Sequence, residues 1–280
     1  MKNVDLIVLR AITTQQKRLS LSNKKLYHLP YNIEFLNWLV ILDLRSNNLS
    51  DLPILPKHLQ SINLGHNWFT TIPNSVFELT SLKSISMYSN QLQSIPSTIF
   101  ESMCSMLNKL EYLNLGYNHI LTLPFNFGLL QNMKTLLLHK NFLTRLPETF
   151  GQLKSLTVLD LAGNNLQLLP SNFTQLKLKE FYAEANPFTR NDLFTSTNPW
   201  LESIIGSKQW QTAGFCALCK NPFVTWWLES VRFANRKELI ISKKSQLNKA
   251  SPEVLYPLRT LFCSYHCLNS SGNCYELSVG

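Results

Sequence analysis

Residues 39–53 read LVILDLRSNNLSDLP, with leucines at positions 39, 42, 44, 49 and 52 and an asparagine at position 47. The same order of hydrophobic residues, asparagine and final proline starts again at residues 59, 82, 110, 133 and 156. Recurrence at a nearly fixed spacing predicts one supersecondary unit stacked many times. Degenerate copies flank these six, the first with Lys24 at the asparagine position, so we expect eight units over residues 16–188.

Each part of the unit has a physical role. Leu42 and Leu44 flank one residue, which is the two-residue period of a strand with one buried face. The amide of Asn47 can bond backbone groups where the chain turns out of the strand, and the Leu-Pro pair suits an extended turn. The pattern therefore predicts an α/β solenoid with a parallel β-sheet on its concave face.

These residues resemble the leucine-rich repeat, which implies a horseshoe-shaped fold. The asparagines from Asn47 to Asn186 are 20, 23, 28, 23, 23 and 22 residues apart. A 23-residue unit ending in Leu-Pro is similar to the intracellular, Ras-associated type. Five extra residues near 101–108 predict a longer convex loop or helix. Residues 1–15 predict a capping helix with one apolar face, formed by Leu6, Val8, Leu9 and Ile12.

The register of the repeat predicts which side chains face solvent on the concave sheet. Neighbouring strands lie about 4.8 Å apart, so aromatic and imidazole rings on successive repeats should form a nearly continuous ridge. Such side chains anchor protein partners well, although they also suit crowded exposed strands. Catalysis by the histidines is disfavoured, because no nucleophile and orienting acid share their register. The candidate partner-binding residues are Arg45, His66, Tyr88, Tyr112, Tyr117, His139, Lys140 and Tyr182.

The repeat pattern ends near Phe188. We expect a cap or linker over residues 189–210 and a cysteine-rich module over residues 211–280. Two cysteine pairs there, 216/219 and 263/267, have spacings that suit a structural zinc site, and so small a module gains from a metal. A thioredoxin-like redox pair and buried thiols are the alternatives. From spacing alone, either Cys267 or His266 could be the fourth zinc ligand.

The tail also resembles one found in certain fungal and animal intracellular leucine-rich repeat proteins. Those proteins end in C-x-x-C-x-x-P, an aromatic strand and a Pro-Leu-x-x-x-x-C-S-x-x-C element. The matching residues here are Cys216, Cys219, Pro222, Pro257, Leu258, Cys263, Ser264 and Cys267. The resemblance implies that Cys267 is the fourth zinc ligand.

Composition and charge restrict the function classes. The chain has 26 basic and 17 acidic residues, and because the excess is spread along it, we expect no dominant basic stripe and disfavour nucleic acid as a partner. No apolar run approaches the roughly 18–20 residues of a membrane span, and no signal peptide is indicated near Asp5 and Arg10. We therefore expect a cytoplasmic protein, with the nucleus also open, and no membrane partner.

Three functions follow from these patterns. The first is a non-enzymatic intracellular scaffold or adaptor that binds a protein of unknown identity on the concave face. The alternative is a regulatory subunit of a small GTPase, phosphatase or ubiquitin-ligase complex, which rests on analogy. The third is nucleic-acid binding through the basic cysteine module, where Trp226 and Trp227 could stack bases. We expect no enzyme activity and no small-molecule substrate, because phosphate-loop and catalytic-triad motifs are absent from the sequence.

Overall fold

The computed structural model describes residues 2–95 and 108–188, together with strand segments 214–215, 222–223, 228–235, 255–262 and 275–279. The predicted convex insertion at 101–107, the cap or linker at 189–210 and all six cysteines lie outside the described residues. The repeats themselves are described except for residues 96–107 of the 28-residue unit.

Eight short strands form one parallel sheet in chain order, which confirms the predicted open parallel sheet. Their register is continuous, so that Leu42, for example, lies opposite Ile62 on the next strand. The middle residue of every strand is buried, whereas the first residue is half-buried or exposed. The strands are β1 (Arg18–Ser20), β2 (Ile41–Asp43), β3 (Ser61–Asn63), β4 (Ser84–Ser86), β5 (Tyr112–Asn114), β6 (Thr135–Leu137), β7 (Val158–Asp160) and β8 (Glu180–Tyr182).

Short helices follow the Leu-Pro pairs on the convex side. In the described part of the repeats four are 3-10 helices, Tyr31–Phe35, Phe125–Leu129, Glu148–Gln152 and Phe173–Gln175, and one is a single α-turn, α2 (Asn74–Phe77). The 20-residue unit leaves out this helix, since residues 44–60, all of them described, contain none. Buried phenylalanines stack between the longer units, with ring centroids 6.1 Å apart for Phe127 and Phe150 and 6.3 Å apart for Phe150 and Phe173.

The asparagine that recurs at one position in seven of the eight units builds a buried hydrogen-bond ladder. Asn118, which is 3% exposed, donates from Nδ2 to the carbonyl oxygens of Leu115 and Met87 at 3.0 and 2.9 Å. Its Oδ1 accepts from the backbone N–H of Leu92 at 3.0 Å. Each amide thus ties its own unit to the preceding one. Six other asparagines repeat the pattern: Asn47, Asn67, Asn90, Asn141, Asn164 and Asn186.

Helix α1 (Lys2–Thr13) joins the hydrophobic core at its N-terminal end. Its buried residues are Val4, Val8 and Ala11, spaced by four and three residues as one helical face requires. The predicted face was wrong in part, because Leu6 and Leu9 are 65% and 49% exposed. Burying Val4 turns the helix so that these two leucines point away from the repeats.

Within residues 214–279 the described backbone forms two antiparallel sheets. Strands β9 (Gly214–Phe215) and β10 (Pro222–Phe223) pair with Phe215 opposite Pro222. Strand β11 (Leu228–Asn235) lies between β12 (Leu255–Phe262) and β13 (Tyr275–Val279).

Candidate functional site

A left-handed residue ends the concave surface of each repeat. The residues at this position have φ between 52° and 67° and are Asn23, Ser46, His66, Ser89, Tyr117, Lys140, Gly163 and Ala185. In all of them but Ala185, which belongs to the last repeat, the backbone N–H bonds to the next repeat; that of His66, for example, donates to the carbonyl of Tyr88 at 2.9 Å. Because the stack fixes this turn in every unit, the conformation belongs to the repeat and holds the His66 and Tyr117 side chains at set positions.

The first ring pair joins His66 and Tyr88 on adjacent repeats. The ring centroids are 4.7 Å apart and the planes are inclined by 77°, an edge-on contact. The Tyr88 ring lies over Gly65, where an added Cβ would stand 2.2 Å from Tyr88 Cε1. A glycine at position 65 therefore creates the space in which this ring packs flat on the sheet.

The second pair joins Tyr117 and His139 in the same way. Their centroids are 5.2 Å apart at 87°, and the imidazole lies over Gly116, where a Cβ would meet its Cε1 at 2.5 Å. His139 Nδ1 is 3.1 Å from Asp160 Oδ2, within ion-pair distance when the imidazole is protonated, although the alignment falls outside hydrogen-bond geometry. The rings thus form two edge-on pairs on the concave face, His66 with Tyr88 and Tyr117 with His139.

The other predicted residues extend this surface towards both ends. Arg45 pairs with Asp43 at 3.1 Å near the N-terminal end. Lys140 is exposed and its stem packs along Gly163. The hydroxyl of Tyr182 donates to Glu180 Oε2 at 3.4 Å, and burial, followed by the nearby Glu180 charge, raises the pKa of Tyr182.

Tyr112 is half-buried on β5 between these ends, and Asn114 Nδ2 lies 3.5 Å from its hydroxyl. The concave face thus offers flat rings, imidazole nitrogens and phenol hydroxyls on rigid strands, which suits the burial of a protein surface.

Substituting alanine for Gly65 should displace the Tyr88 ring while the protein stays folded. The new methyl group occupies the ring's position, and a half-buried ring on the solvent side of the sheet can rotate away at a cost of about 1 kcal/mol. In NMR spectra we expect the His66 ring protons to lose the ring-current chemical shift that the Tyr88 ring causes. Ser61→Ala, on β3 of the same repeat, is the control, and an unchanged His66 chemical shift in Gly65→Ala would contradict the observed contact.

The sequence-based expectation of no basic stripe is wrong for the repeats. Eight of the sixteen Lys and Arg residues before Phe188 lie where the chain enters a strand, on one edge of the solenoid, and all eight are exposed. We call this surface the lysine edge: Lys17, Lys57, Lys83, Lys109, Lys134, Lys154, Lys177 and Lys179. Apart from Lys177 and Lys179, successive lysines of the edge are 20 to 40 residues apart in the sequence, so charge patterning along the sequence does not reveal the edge, whereas repeat register could have.

Among the described residues, no group of three or more His, Cys, Asp or Glu side chains is placed to hold a metal ion. The four predicted zinc ligands, Cys216, Cys219, Cys263 and Cys267, lie outside that set, as does His266. No helix within the described parts of the chain is both long and apolar enough to span a bilayer.

Comparison with known proteins identifies the repeats. The leucine rich repeat family model matches residues 57–120, 108–166 and 131–188. Human leucine-rich repeat-containing protein 69 is 40% identical over 86 residues, 30% of this chain and 20% of that protein. The adenylate cyclase of Schizosaccharomyces pombe is 28% identical over 107 residues, 37% of this chain and 6% of the enzyme. The matches thus span a fifth or less of these relatives.

A solved leucine-rich repeat protein of Leptospira interrogans superimposes with a TM-score of 0.53 at 31% identity, covering 65% of this chain and 52% of that one. The chain therefore contains leucine-rich repeats with the fold of known members. Leucine-rich repeat proteins act in general by protein–protein interaction, and repeats of this kind form a non-enzymatic interaction domain.

Proposed function

We propose that this protein is a non-enzymatic scaffold or adaptor that binds a protein partner on its concave face. The observation that carries the proposal is the pair of edge-on ring contacts, His66 with Tyr88 and Tyr117 with His139. Packing of the folded chain does not require these rings, since they lie on the solvent side of the sheet and Tyr117 is 55% exposed.

The energetics of such a site favour binding. The Tyr88 and His139 rings already rest on glycine backbones, so they have few rotamers left to lose when a partner covers them. Rigid aromatic side chains of this kind contribute most of the energy of many interfaces. Asp160 beside His139 and Arg45 with Asp43 add charged groups at the rim, which would steer and orient a partner more than hold it.

The double variant Tyr88→Ala/Tyr117→Ala should abolish partner capture and leave the free energy of unfolding within about 1 kcal/mol of the original, as expected for anchors on the solvent side of the sheet. Quantitative affinity purification followed by mass spectrometry measures the first quantity and chemical denaturation the second. The matched control is Tyr31→Ala/Phe125→Ala, which removes two aromatic rings that are 85% and 54% exposed on the convex side.

Partners lost by the concave variant and kept by the convex one support the proposal. Unchanged capture by the concave variant would refute it and move the binding site to the convex side or the tail. Unfolding of the double variant would mean that these two rings belong to the core.

We also propose that the cysteine-rich region holds one structural zinc through Cys216, Cys219, Cys263 and Cys267. Only six residues, 216–221, separate the paired strands β9 and β10, and both cysteines of the first pair are among them. A close pair between two antiparallel strands is the arrangement of a zinc knuckle. Four thiolates would give the tetrahedral, closed set of a structural rather than a catalytic site.

The second cysteine pair directly follows strand β12, which lies close to strand β9 beside the first cysteine pair. Strand β12 ends at Phe262, directly before Cys263. Strands β9 and β12 have Cα atoms within 8 Å of each other, which supports one shared site over two separate ones. Metal analysis of the purified, reduced protein tests the proposal, and one zinc per chain is expected.

A further inference from the structure

The backbone of the lysine edge is a regular hydrogen-bonded row. The N–H of Lys83 donates to the carbonyl of Gln60 at 2.8 Å, and the row continues through Glu111, Lys134, Thr157 and Lys179 with distances of 2.7–2.9 Å. Lys17 accepts from the next repeat at the N-terminal end of the same row. The remaining four lysines lie in the two positions before the next buried hydrophobic residue: Lys57, Lys109, Lys154 and Lys177.

One carboxylate, that of Glu111, lies within this row, and its pKa reflects the positive charge of the surrounding lysines. Lys134 Nζ contacts Glu111 Oε2 at 2.7 Å. The hydrogen bond from Lys134, together with the charges of Lys134 and Lys83, lowers the pKa of Glu111. Glu111 neutralises the charge of a single lysine, so the edge as a whole keeps a large excess of positive charge.

Exposed apolar side chains lie next to these lysines. Trp38 precedes Leu39 at the repeat position that His58 and Lys109 occupy before Leu59 and Leu110, and it is 56% exposed. Phe35 and Leu129, at the ends of two convex helices, are 59% and 49% exposed. Lysines beside a tryptophan and other apolar groups are typical of proteins that rest on the surface of a membrane.

The chemistry of the edge distinguishes among anionic partners. An acidic peptide bound in one geometry favours arginine, whose planar guanidinium pairs with both oxygens of a carboxylate. The eight cations that precede the strands are all lysine, and Arg18, the exposed first residue of β1, is the arginine beside them. A phosphate backbone would gain nothing from Leu129 or Phe35. A fluid anionic surface needs no fixed pairing geometry and accepts apolar groups at its headgroup level.

We propose that the lysine edge, with Phe35, Trp38 and Leu129, docks on an anionic lipid bilayer. This contact needs no membrane-spanning helix. It is independent of the concave face and would leave that face open to a protein partner. The expectation of no membrane partner rested on the lack of a long apolar run and of a signal peptide, and a surface contact of this kind requires neither.

Sedimentation of the full chain with vesicles tests the proposal. We expect retention on vesicles of phosphatidylcholine with about one third phosphatidylserine, and little retention on phosphatidylcholine alone. Each lysine near such a surface strengthens binding about five-fold, so Lys83→Glu/Lys154→Glu should lower partitioning at least about 25-fold. Lys24→Glu/Lys25→Glu, which makes the same charge change on the opposite edge, should have a small effect.

A second pair of variants tests the apolar contribution. Trp38→Ala should weaken retention at both low and high salt, whereas Trp68→Ala, which removes a 47% exposed tryptophan from the opposite edge, should not. Retention that is insensitive to phosphatidylserine or to the lysine-edge variant would overturn the proposal. Tighter binding to polyglutamate or to duplex DNA than to anionic vesicles would also overturn it, in favour of those partners.

Discussion

Replacing Asn118 with alanine is expected to lower the free energy of unfolding by about 3 kcal/mol or more. The substitution leaves the N–H of Leu92 without its acceptor. The carbonyls of Met87 and Leu115 each lose one of two donors and keep the other, from Asn90 and Asn141 respectively. A buried N–H left unpaired costs about 1–3 kcal/mol and each lost hydrogen bond about 0.5–1.5 kcal/mol, and a 3% exposed site gives water little access. Urea denaturation followed by circular dichroism measures the change.

The matched control is Asn165→Ala, which removes an asparagine side chain from an exposed position in the corresponding sheet-to-loop turn two repeats further along the chain. It should change stability by about 0.5 kcal/mol or less. Equal effects of the two substitutions would show that the ladder contributes little. Because repeat units interact with their neighbours alone, hydrogen exchange should rise most in the two repeats that Asn118 joins.

Replacing Cys216 or Cys263 with serine is expected to abolish zinc binding and unfold the cysteine-rich region while the repeats stay folded. Structural zinc contributes on the order of 10 kcal/mol of apparent free energy, more than a region of this size can lose. The repeats should stay folded when the cysteine-rich region unfolds, because each repeat contacts only its neighbours. Metal content and limited proteolysis measure the two effects, and Cys104→Ser and Cys274→Ser are the controls.

Thiolate ligands also set the pH dependence of this site. Protons compete with zinc for sulfur, so zinc affinity should fall as the pH is lowered. A purified, reduced protein without stoichiometric zinc would disprove the assignment. A Cys267→Ser variant with full affinity, beside a His266→Ala variant that loses it, would make histidine the fourth ligand.

Local pattern was sufficient to predict the repeat fold. The strand positions, the inward leucines and the turn asparagines follow from a motif of about fifteen residues, and the sheet register follows once equal units are stacked. The buried face of α1 was predicted less well. Its helical periodicity permits more than one apolar face, and contact with the first repeat selects Val4, Val8 and Ala11 over Leu6 and Leu9.

The sequence by itself thus determined the solenoid, its concave side chains and the spacing of the cysteine pairs, because each of these depends on residues close together in the chain. Only the tertiary structure decided that the concave rings form two pairs seated on Gly65 and Gly116, and that scattered lysines meet along one edge. Both arrangements join residues one repeat or more apart. Stacking places corresponding residues of adjacent repeats about 4.8 Å apart, and this proximity cannot be read from local propensity or from charge patterning along the chain.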